Sequence, residues 1–397
     1  MIQFLYSFEG KDTGLLEAQD LQRAKCFQCL VAEWSSPIII APVRGSWSLG
    51  GKMETTFVQT GQYEEAARRI IDAAAWCYLE CGSGNEQTLR ATVAAFEHIW
   101  LRPRVLVPRP APHLNTTVLG IPISLPIMAA PIGFQTWFHP EGELASVRGT
   151  GQVQTLYVAS SSATTSLEDI ARAACGPVWF QLYLYQQRSL TEQLVKRAEQ
   201  AGYQAIVVTA DTAYYGRKEK FLRNHYSTPA HVRKANLADD ADDQMSSEFG
   251  WDVFDWLRSL TGLPLVIKGV LTAEDAELAI QHGVAGIIVS NHGGRQLDAA
   301  LPSVLALPEV MEAVKGRVEV YLDSGIRTGI DALKAVALGA KAVFVGRPVL
   351  WGLAVQGSKG VSQVFEILRE ELEYAMVLSG CPTIASINHA LIKQYAW

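Results

Sequence analysis

The chain has 397 residues, of which 49% are hydrophobic and 19% charged, with a formal net charge of −6. That length allows one large α/β domain or two smaller ones, and the acidic balance excludes a nucleic-acid footprint. No apolar run reaches the roughly 18 residues that a membrane-spanning helix needs, so no membrane partner is expected.

The opening MIQFLYSFEGKD lacks the basic-then-apolar order of a secretory signal, and the closing KQYAW is not the Ser-Lys-Leu peroxisomal address. Six cysteines (Cys26, Cys29, Cys77, Cys81, Cys175 and Cys381) are too few for a disulfide framework in so long a chain. Together these features predict a cytoplasmic protein. The pair Cys26 and Cys29 has redox-motif spacing but no strand-turn-helix context, and no second pair completes a zinc site. Coincidence is the simpler reading, and no metal is expected.

Residues 1–52 show no sustained period and read as an N-terminal extension of unknown role, ahead of a core at 53–397. From Tyr63 to Tyr78 apolar positions recur at helical spacing, with Gly82 as a stop. From residue 120 a rhythm sets in. Apolar runs at Leu125–Ala130, Leu156–Ser160, Val178–Leu182, Ala205–Thr209, Leu265–Lys268, Gly286–Ser290, Val318–Asp323 and Ala342–Gly346 alternate with amphipathic stretches such as Leu190–Ala201. Strands without polar alternation, each followed by a helix, predict a parallel sheet covered on both faces. Eight such units predict a (β/α)8 TIM barrel. The longest interruption contains NLADDADDQMSSEF and reads as a mobile acidic surface loop.

In such barrels the site forms where the strands end. The residues there are Pro131, Ile132 and Gly133, then Ser160 with Ser162, Gln181 with Tyr183, Thr209 with Asp211, Lys268, Ser290 with His292 and Arg295, Asp323 with Arg327, and Gly346 with Arg347. Solvent exposure of strand ends explains polarity but not a Lys, a His, an Asp and two Arg after fully apolar runs. The last two loops, DSGIRTG with Gly325 and VGRPVLWG, join glycine, arginine and a helix start, which suits a phosphate. Lys268 reads as a fixed cation beside whatever that phosphate carries, or as a salt-bridge partner of Asp323. His292 reads as the general base, with Asp211 orienting it, and Arg295 as a carboxylate anchor. Tyr183 suits a hydrogen bond to substrate, although a core aromatic is the alternative.

With these residues in view, SNHGGRQLD at Ser290–Asp298 resembles the signature of the FMN-dependent 2-hydroxy-acid oxidases and dehydrogenases. The resemblance runs from about Met53 to the C-terminus through RPRVLV, APIGFQTWFHPEGE, WFQLYLY, VVTADT, LVIKGVL, DSGIRTG and AVFVGRPVLWGLAVQG. It implies an FMN enzyme that oxidises an (S)-2-hydroxy acid to a 2-oxo acid, with O2 as acceptor and hydrogen peroxide as product. By the same resemblance His292 takes the substrate proton with support from Asp211, Arg295 binds the carboxylate, and Tyr183 and Tyr78 bracket the substrate. Pro131, Ile132, Gly133, Ser160, Gln181, Thr209, Lys268 and Ser290 hold the isoalloxazine. Asp323, Gly325, Arg327, Gly346 and Arg347 hold the ribityl chain and phosphate. A homo-oligomer, tetramer or octamer, is also expected.

The sequence departs from the family pattern at four places. Lys218 stands where a second arginine is usual, and loses the bidentate fork. Ser162 replaces a bulky tryptophan of the glycolate-type enzymes and Tyr215 replaces an aliphatic residue, and both are expected to line the substrate pocket. Ser162 leaves room for a branched or aryl side chain and Tyr215 takes some of that room back, so a medium or aryl acid is expected to be preferred to glycolate. Gly133, where alanine is frequent, keeps open a decarboxylating monooxygenase of the lactate type. A dehydrogenase using another acceptor and a catalytically weak flavin-binding protein also stay open.

Overall fold

The eight apolar runs fold as β1 (Ile127–Ala129), β2 (Tyr157–Ser160), β3 (Val178–Leu182), β4 (Ile206–Thr209), β5 (Leu265–Val270), β6 (Gly286–Val289), β7 (Glu319–Leu322) and β8 (Ala342–Val345). In the computed structural model they pair in parallel, each with the next and β8 with β1, to close a barrel. The structure describes residues 57–108, 110–238 and 244–394. The expected extension at 1–52 lies outside them, as does the centre of the acidic tract. The flanks of that tract are packed: Asn236 and Met245 are buried, and Met245 bridges to Tyr185.

Continuous apolar runs arise because both faces of each strand are covered. Met128, Val158, Trp179, Val207, Val266, Ile288, Tyr321 and Phe344 fill the barrel interior. The alternate strand residues pack outward against the helices. A hairpin not anticipated from the sequence, Thr116–Val118 with Ile121–Ile123, adds Val118 and Ile123 to the interior cluster. Its turn residue Leu119 donates its N–H to Glu319 Oε2 at 2.9 Å, at the start of β7. Apolar packing thus seals the N-terminal mouth of the barrel, and only the opposite mouth is left for chemistry.

Among the described residues three α-helices precede the barrel: α1 (Thr60–Ile70), α2 (Ala73–Glu80) and α3 (Gln87–Ala94). The single helix expected from Tyr63 to Tyr78 is therefore two. Asp72 breaks it by accepting from the N–H groups of Ala74 and Ala75, an N-cap that outweighs the continuing apolar period. The barrel helices are α4 (Gly142–Gln152), α5 (Leu167–Ala173), α6 (Arg188–Gln200), α7 (Glu219–Arg223), α8 (Val253–Leu260), α9 (Ala273–Gln281), α10 (Ser303–Val314), α11 (Gly329–Ala337) and α12 (Arg347–Ser379). α12 is interrupted at Gln356 and Gly357, where the backbone leaves helical geometry.

Candidate active site

A cavity with about 900 Å3 of empty volume, open to solvent, sits at the C-terminal mouth of the barrel. Fifteen of the residues expected at the site line it: Tyr78, Pro131, Ile132, Gly133, Gln181, Tyr183, Thr209, Lys268, His292, Arg295, Asp323, Gly325, Arg327, Gly346 and Arg347. Three more stand directly behind the lining. Ser160 Oγ donates to Gln181 Oε1 at 3.0 Å, Lys268 Nζ donates to Ser290 Oγ at 2.8 Å, and Asp211 backs His292.

The reactive end is built by the loops after β3, β4 and β6. His292 has φ 58, Gly293 φ 66 and Gly294 φ 71, three successive residues in left-handed backbone. Neighbouring backbone requires the glycine at 294, and at 293 a side chain would have to displace an arginine. A Cβ on Gly294 would lie 2.6 Å from the Leu89 backbone, and one on Gly293 would lie 2.9 Å from Arg347 Nη1. The turn brings His292 Nδ1 to 2.9 Å from Asp211 Oδ1. Burial opposes ionisation of Asp211, but His292, Lys268 and the Thr212 hydroxyl outweigh it and hold its pKa at about 2. An ionised Asp211 can only accept, so Nδ1 carries the proton and Nε2 keeps its lone pair. Burial, with Lys268 and Arg295 adding to it and Asp211 opposing, lowers the His292 pKa. His292 is thus a neutral base at neutral pH.

Arg295 is aimed by α2. Its Nη1 donates to the carbonyls of Tyr78, Leu79 and Cys81 at 2.7, 3.2 and 3.1 Å, and its guanidinium lies 4.9 Å from the Tyr78 ring centroid. The last carbonyls of a helix lack intrahelical partners, and its C-terminus favours a cation. Gln181 is fixed at both ends of its amide, since its Nε2 donates to Thr209 Oγ1 at 2.9 Å. Lys268, only 4% exposed, pairs with Asp323 Oδ2 at 3.3 Å. Burial lowers its pKa, but Asp323 and Asp211 reverse the shift and keep it charged.

The other end is cationic without an equal anion. Arg347 Nε donates to Leu79 O at 3.1 Å and lies 3.5 Å from Glu80 Oε2, while Arg327 lies 5.3 Å from the Trp351 ring centroid. Trp351 Nε1 fixes Glu80 in turn, at 2.8 Å. Burial holds Arg347 at about 10 despite Glu80, with Arg295 and Arg327 adding to the effect. Of the lining side chains, Lys268, Arg295, Arg327 and Arg347 are basic, and Asp323 alone is acidic. The two helix starts expected at a phosphate differ. The N-terminus of α11 is occupied by Asp331, which accepts from the Arg327 and Thr328 N–H groups. That of α12, at Gly346, carries no side-chain cap. Buried excess positive charge beside an uncapped helix start fits a phosphate dianion. The Ala130–Gly133 segment, Phe344 and Leu350 supply apolar lining. The residues present therefore fit a flavin mononucleotide.

Three expected substrate contacts do not line this cavity. Ser162 is buried, with its carbonyl accepting from Phe134 N at 3.2 Å. Tyr215 is 55% exposed and its hydroxyl accepts from Lys234 Nζ at 3.1 Å. Lys218 has its Nζ 5.8 Å from the Tyr78 ring centroid, at the rim. Gly133 lines the cavity with Ser162 directly behind it, where a Cβ on Gly133 would lie 2.7 Å from Ser162 O. Sequence reasoning missed Glu80, Trp351 and Ser324, whose hydroxyl accepts from Gly293 N at 2.9 Å. The CysGly pair closing the α2 run was a usable sign of helix-end carbonyls seeking a donor.

Comparison with known proteins agrees with this geometry. Residues 67–394 match the family model described as FMN-dependent dehydrogenase. The chain is 43% identical over 354 residues to 2-hydroxyacid oxidase 1 of Mus musculus, covering 84% of this chain and 95% of that protein. It is also 43% identical over 357 residues to glycolate oxidase 3 of Arabidopsis thaliana, covering 86% and 96%. A crystal structure of mandelate oxidase with benzoyl-formic acid superposes with TM-score 0.81 at 40% identity, covering 86% of this chain and 99% of that one. A barrel whose C-terminal mouth gathers an Asp-backed histidine and a phosphate-ready cation cluster, with a family match over residues 67–394, belongs to the FMN-dependent dehydrogenases.

Proposed function

We propose that the protein oxidises an (S)-2-hydroxy acid to the 2-oxo acid, with O2 as acceptor and hydrogen peroxide as product. The observation that carries this reading is the 2.9 Å contact of His292 Nδ1 with Asp211 Oδ1 at the wall of the cavity that Arg295 and Tyr183 also line. In this reading Arg295 binds the substrate carboxylate. Tyr183, held protonated by burial, donates from its phenol to a substrate oxygen. His292 Nε2 takes the hydroxyl proton, and the ionised Asp211 stabilises the imidazolium. The Cα hydrogen leaves with its bonding pair, as a hydride, for which bound FMN would supply the two-electron acceptor. Arg327, Arg347 and the start of α12 would hold its phosphate; Gln181, Thr209, Lys268 and the Ala130–Gly133 backbone would hold its ring.

The test is anaerobic mixing with glycolate, lactate and mandelate, followed by product analysis in air. Bleaching of the flavin and formation of peroxide with the 2-oxo acid are expected. An unbleached flavin with every acid would sink the reading, and a shortened acid with carbon dioxide would show a monooxygenase. Gly133 lines the cavity and is the feature that would favour that second outcome. The side-chain preference is left to the panel, because neither Ser162 nor Tyr215 lines the cavity.

A core beginning near Met53 is supported by the family match, which starts at residue 67. A chain starting at Met53 is expected to fold and bind flavin; insolubility of that chain beside a sound full-length protein would count against the boundary. Cytoplasmic location is supported by the free thiols Cys77, Cys81, Cys175 and Cys381. Assembly into a homo-oligomer, tetramer or octamer, is supported by exposed Val105, Leu106, Tyr374 and Leu378, and light scattering tests it.

A further inference from the structure

We infer that Gly269, which does not line the flavin cavity, is a positioning residue that keeps Asp211 against His292. The inference rests on the proposed roles of that pair.

β5 carries a bulge. Lys268 pairs with Ile288 and Val270 with Val289, so Gly269 is the extra residue between them. A bulge re-aims the side chains beside it. Here Lys268 comes to line the cavity and Gly269, at φ +111, turns its Cα hydrogens toward the loop after β4. A Cβ on Gly269 would lie 2.7 Å from Asp211 Cβ, 2.8 Å from Asp211 Cγ and 3.0 Å from Asp211 N. Those distances are below van der Waals contact, so any side chain at 269 displaces Asp211.

The surroundings decide how Asp211 would move. Its backbone is tied, since Asp211 O accepts from Gln296 Nε2 at 2.7 Å and Ala210 N donates to Lys268 O at 2.8 Å. Its carboxylate is held through Oδ1 by His292 and the Thr212 hydroxyl, while Oδ2 has no hydrogen-bond partner among the described residues. Behind it lies a second cavity with about 1050 Å3 of empty volume, lined by Asp211 and Gly269 together with Phe249 and Trp251. A crowded carboxylate therefore has room to turn away from His292 without the barrel unfolding. The largest side chain that fits this bulge without breaking the dyad is a hydrogen atom.

The test uses the holoenzyme and four forms: wild type, Gly269→Ala, Asp211→Gly and the double variant. Asp211→Gly removes both the Cβ and the carboxyl that the new methyl would meet. Anaerobic flavin reduction at saturating substrate is followed against pH. If Asp211→Gly reduces at the wild-type rate, the catalytic reading of the pair fails, whatever Gly269 does. If it slows, Gly269→Ala is expected to slow reduction at least about tenfold, a part of the 10²–10⁴-fold that a positioned base contributes. Its acid limb should move to lower pH, because His292 loses the anion that raises its pKa. The double variant should match Asp211→Gly within about twofold, since residues that act through one contact are not additive. Losses that multiply in the double variant, an unmoved acid limb, or a wild-type rate in Gly269→Ala would each overturn the inference. Should Gly269→Ala not fold, recovery of a yellow, soluble double variant supports the contact, and failure of both overturns it.

Discussion

The two ends of the cavity solve opposite electrostatic problems. At the reactive end the half-buried histidine has its anion built in, 2.9 Å away in Asp211, and is complete without a ligand. At the phosphate end Arg327 and Arg347 face carbonyls, an aromatic ring, a Glu80 no closer than 3.5 Å and the charge of Glu64. Burial lowers the pKa of both guanidiniums, and the Arg327 charge adds to the shift at Arg347. One end stores a finished hydrogen bond; the other stores positive charge that Glu80 and Glu64 offset only in part and that a dianion relieves. The chemistry should therefore be separable from cofactor retention by mutation.

The sharpest attempt to break this separation is His292→Ala. Flavin reduction by the best acid should fall by roughly 10²–10⁴-fold, the usual contribution of a general base, while FMN stays bound. Substrate binding should survive better than turnover, because Arg295 is held by α2 carbonyls and not by His292. Loss of flavin from this variant would show that the two ends are coupled, and a near-normal reduction rate would falsify the role of His292 as base.

The complementary change is Arg347→Ala. Charge-assisted hydrogen bonds contribute roughly 1.5–3 kcal/mol each, so FMN affinity should weaken by about ten- to a hundredfold. Reduction measured at saturating FMN should stay within a few-fold of wild type. Equilibrium dialysis against FMN checks the first statement and stopped-flow the second. A variant that binds FMN normally but reduces slowly would reverse the assignment of the two ends.

How far these assignments were readable beforehand differs between the ends. His292, Asp211, Lys268 and Arg295 announced themselves because charged side chains followed runs that are apolar throughout, a pattern fully covered strands produce. The eight strands were legible for the same reason, within a residue or two at most ends. The hairpin at Thr116–Ile123 was not, since its turn puts Leu119 at φ 47 beside Gly120, and leucine is no turn signal. The α1–α2 break hid because Asp72 interrupts a helical period that resumes at once. Glu80 and Trp351 were invisible for a different reason. Their meaning comes from meeting each other and Arg347 across 271 positions of sequence, and neither carries a local pattern. Ser162 and Tyr215 were expected at the substrate from the family pattern alone; Ser162 stands behind Gly133, and Tyr215 stands outside the lining with its charge felt by Tyr78 and Tyr183.

A milder perturbation is Arg295→Lys. The ammonium keeps the charge but cannot span the Tyr78, Leu79 and Cys81 carbonyls and also present a fork to a carboxylate. KM for the acid should rise by about tenfold, on the order of 1.4 kcal/mol, with kcat changed less and FMN content unchanged. A loss confined to kcat would move Arg295 from anchoring the substrate to the proton-transfer step.

The smallest expected effect concerns Lys218, at the rim between the two ends. Burial lowers its pKa to about 8, and the Arg295 charge adds to that shift. A substrate carboxylate prefers the charged lysine, so kcat/KM should fall a few-fold as pH rises through about 8, where free enzyme loses that proton. The sign reverses in the complex. A bound carboxylate stabilises the ammonium, raises its pKa and pushes the corresponding limb in kcat to higher pH or out of range. Lys218→Arg should flatten kcat/KM through pH 9, since guanidinium stays charged. Lys218→Met should also remove the limb, but by lowering kcat/KM at pH 7 to the level wild type reaches only in alkali. An alkaline limb that persists unchanged in both variants would mean that Lys218 does not touch the substrate's charge, and that Arg295 alone holds the carboxylate.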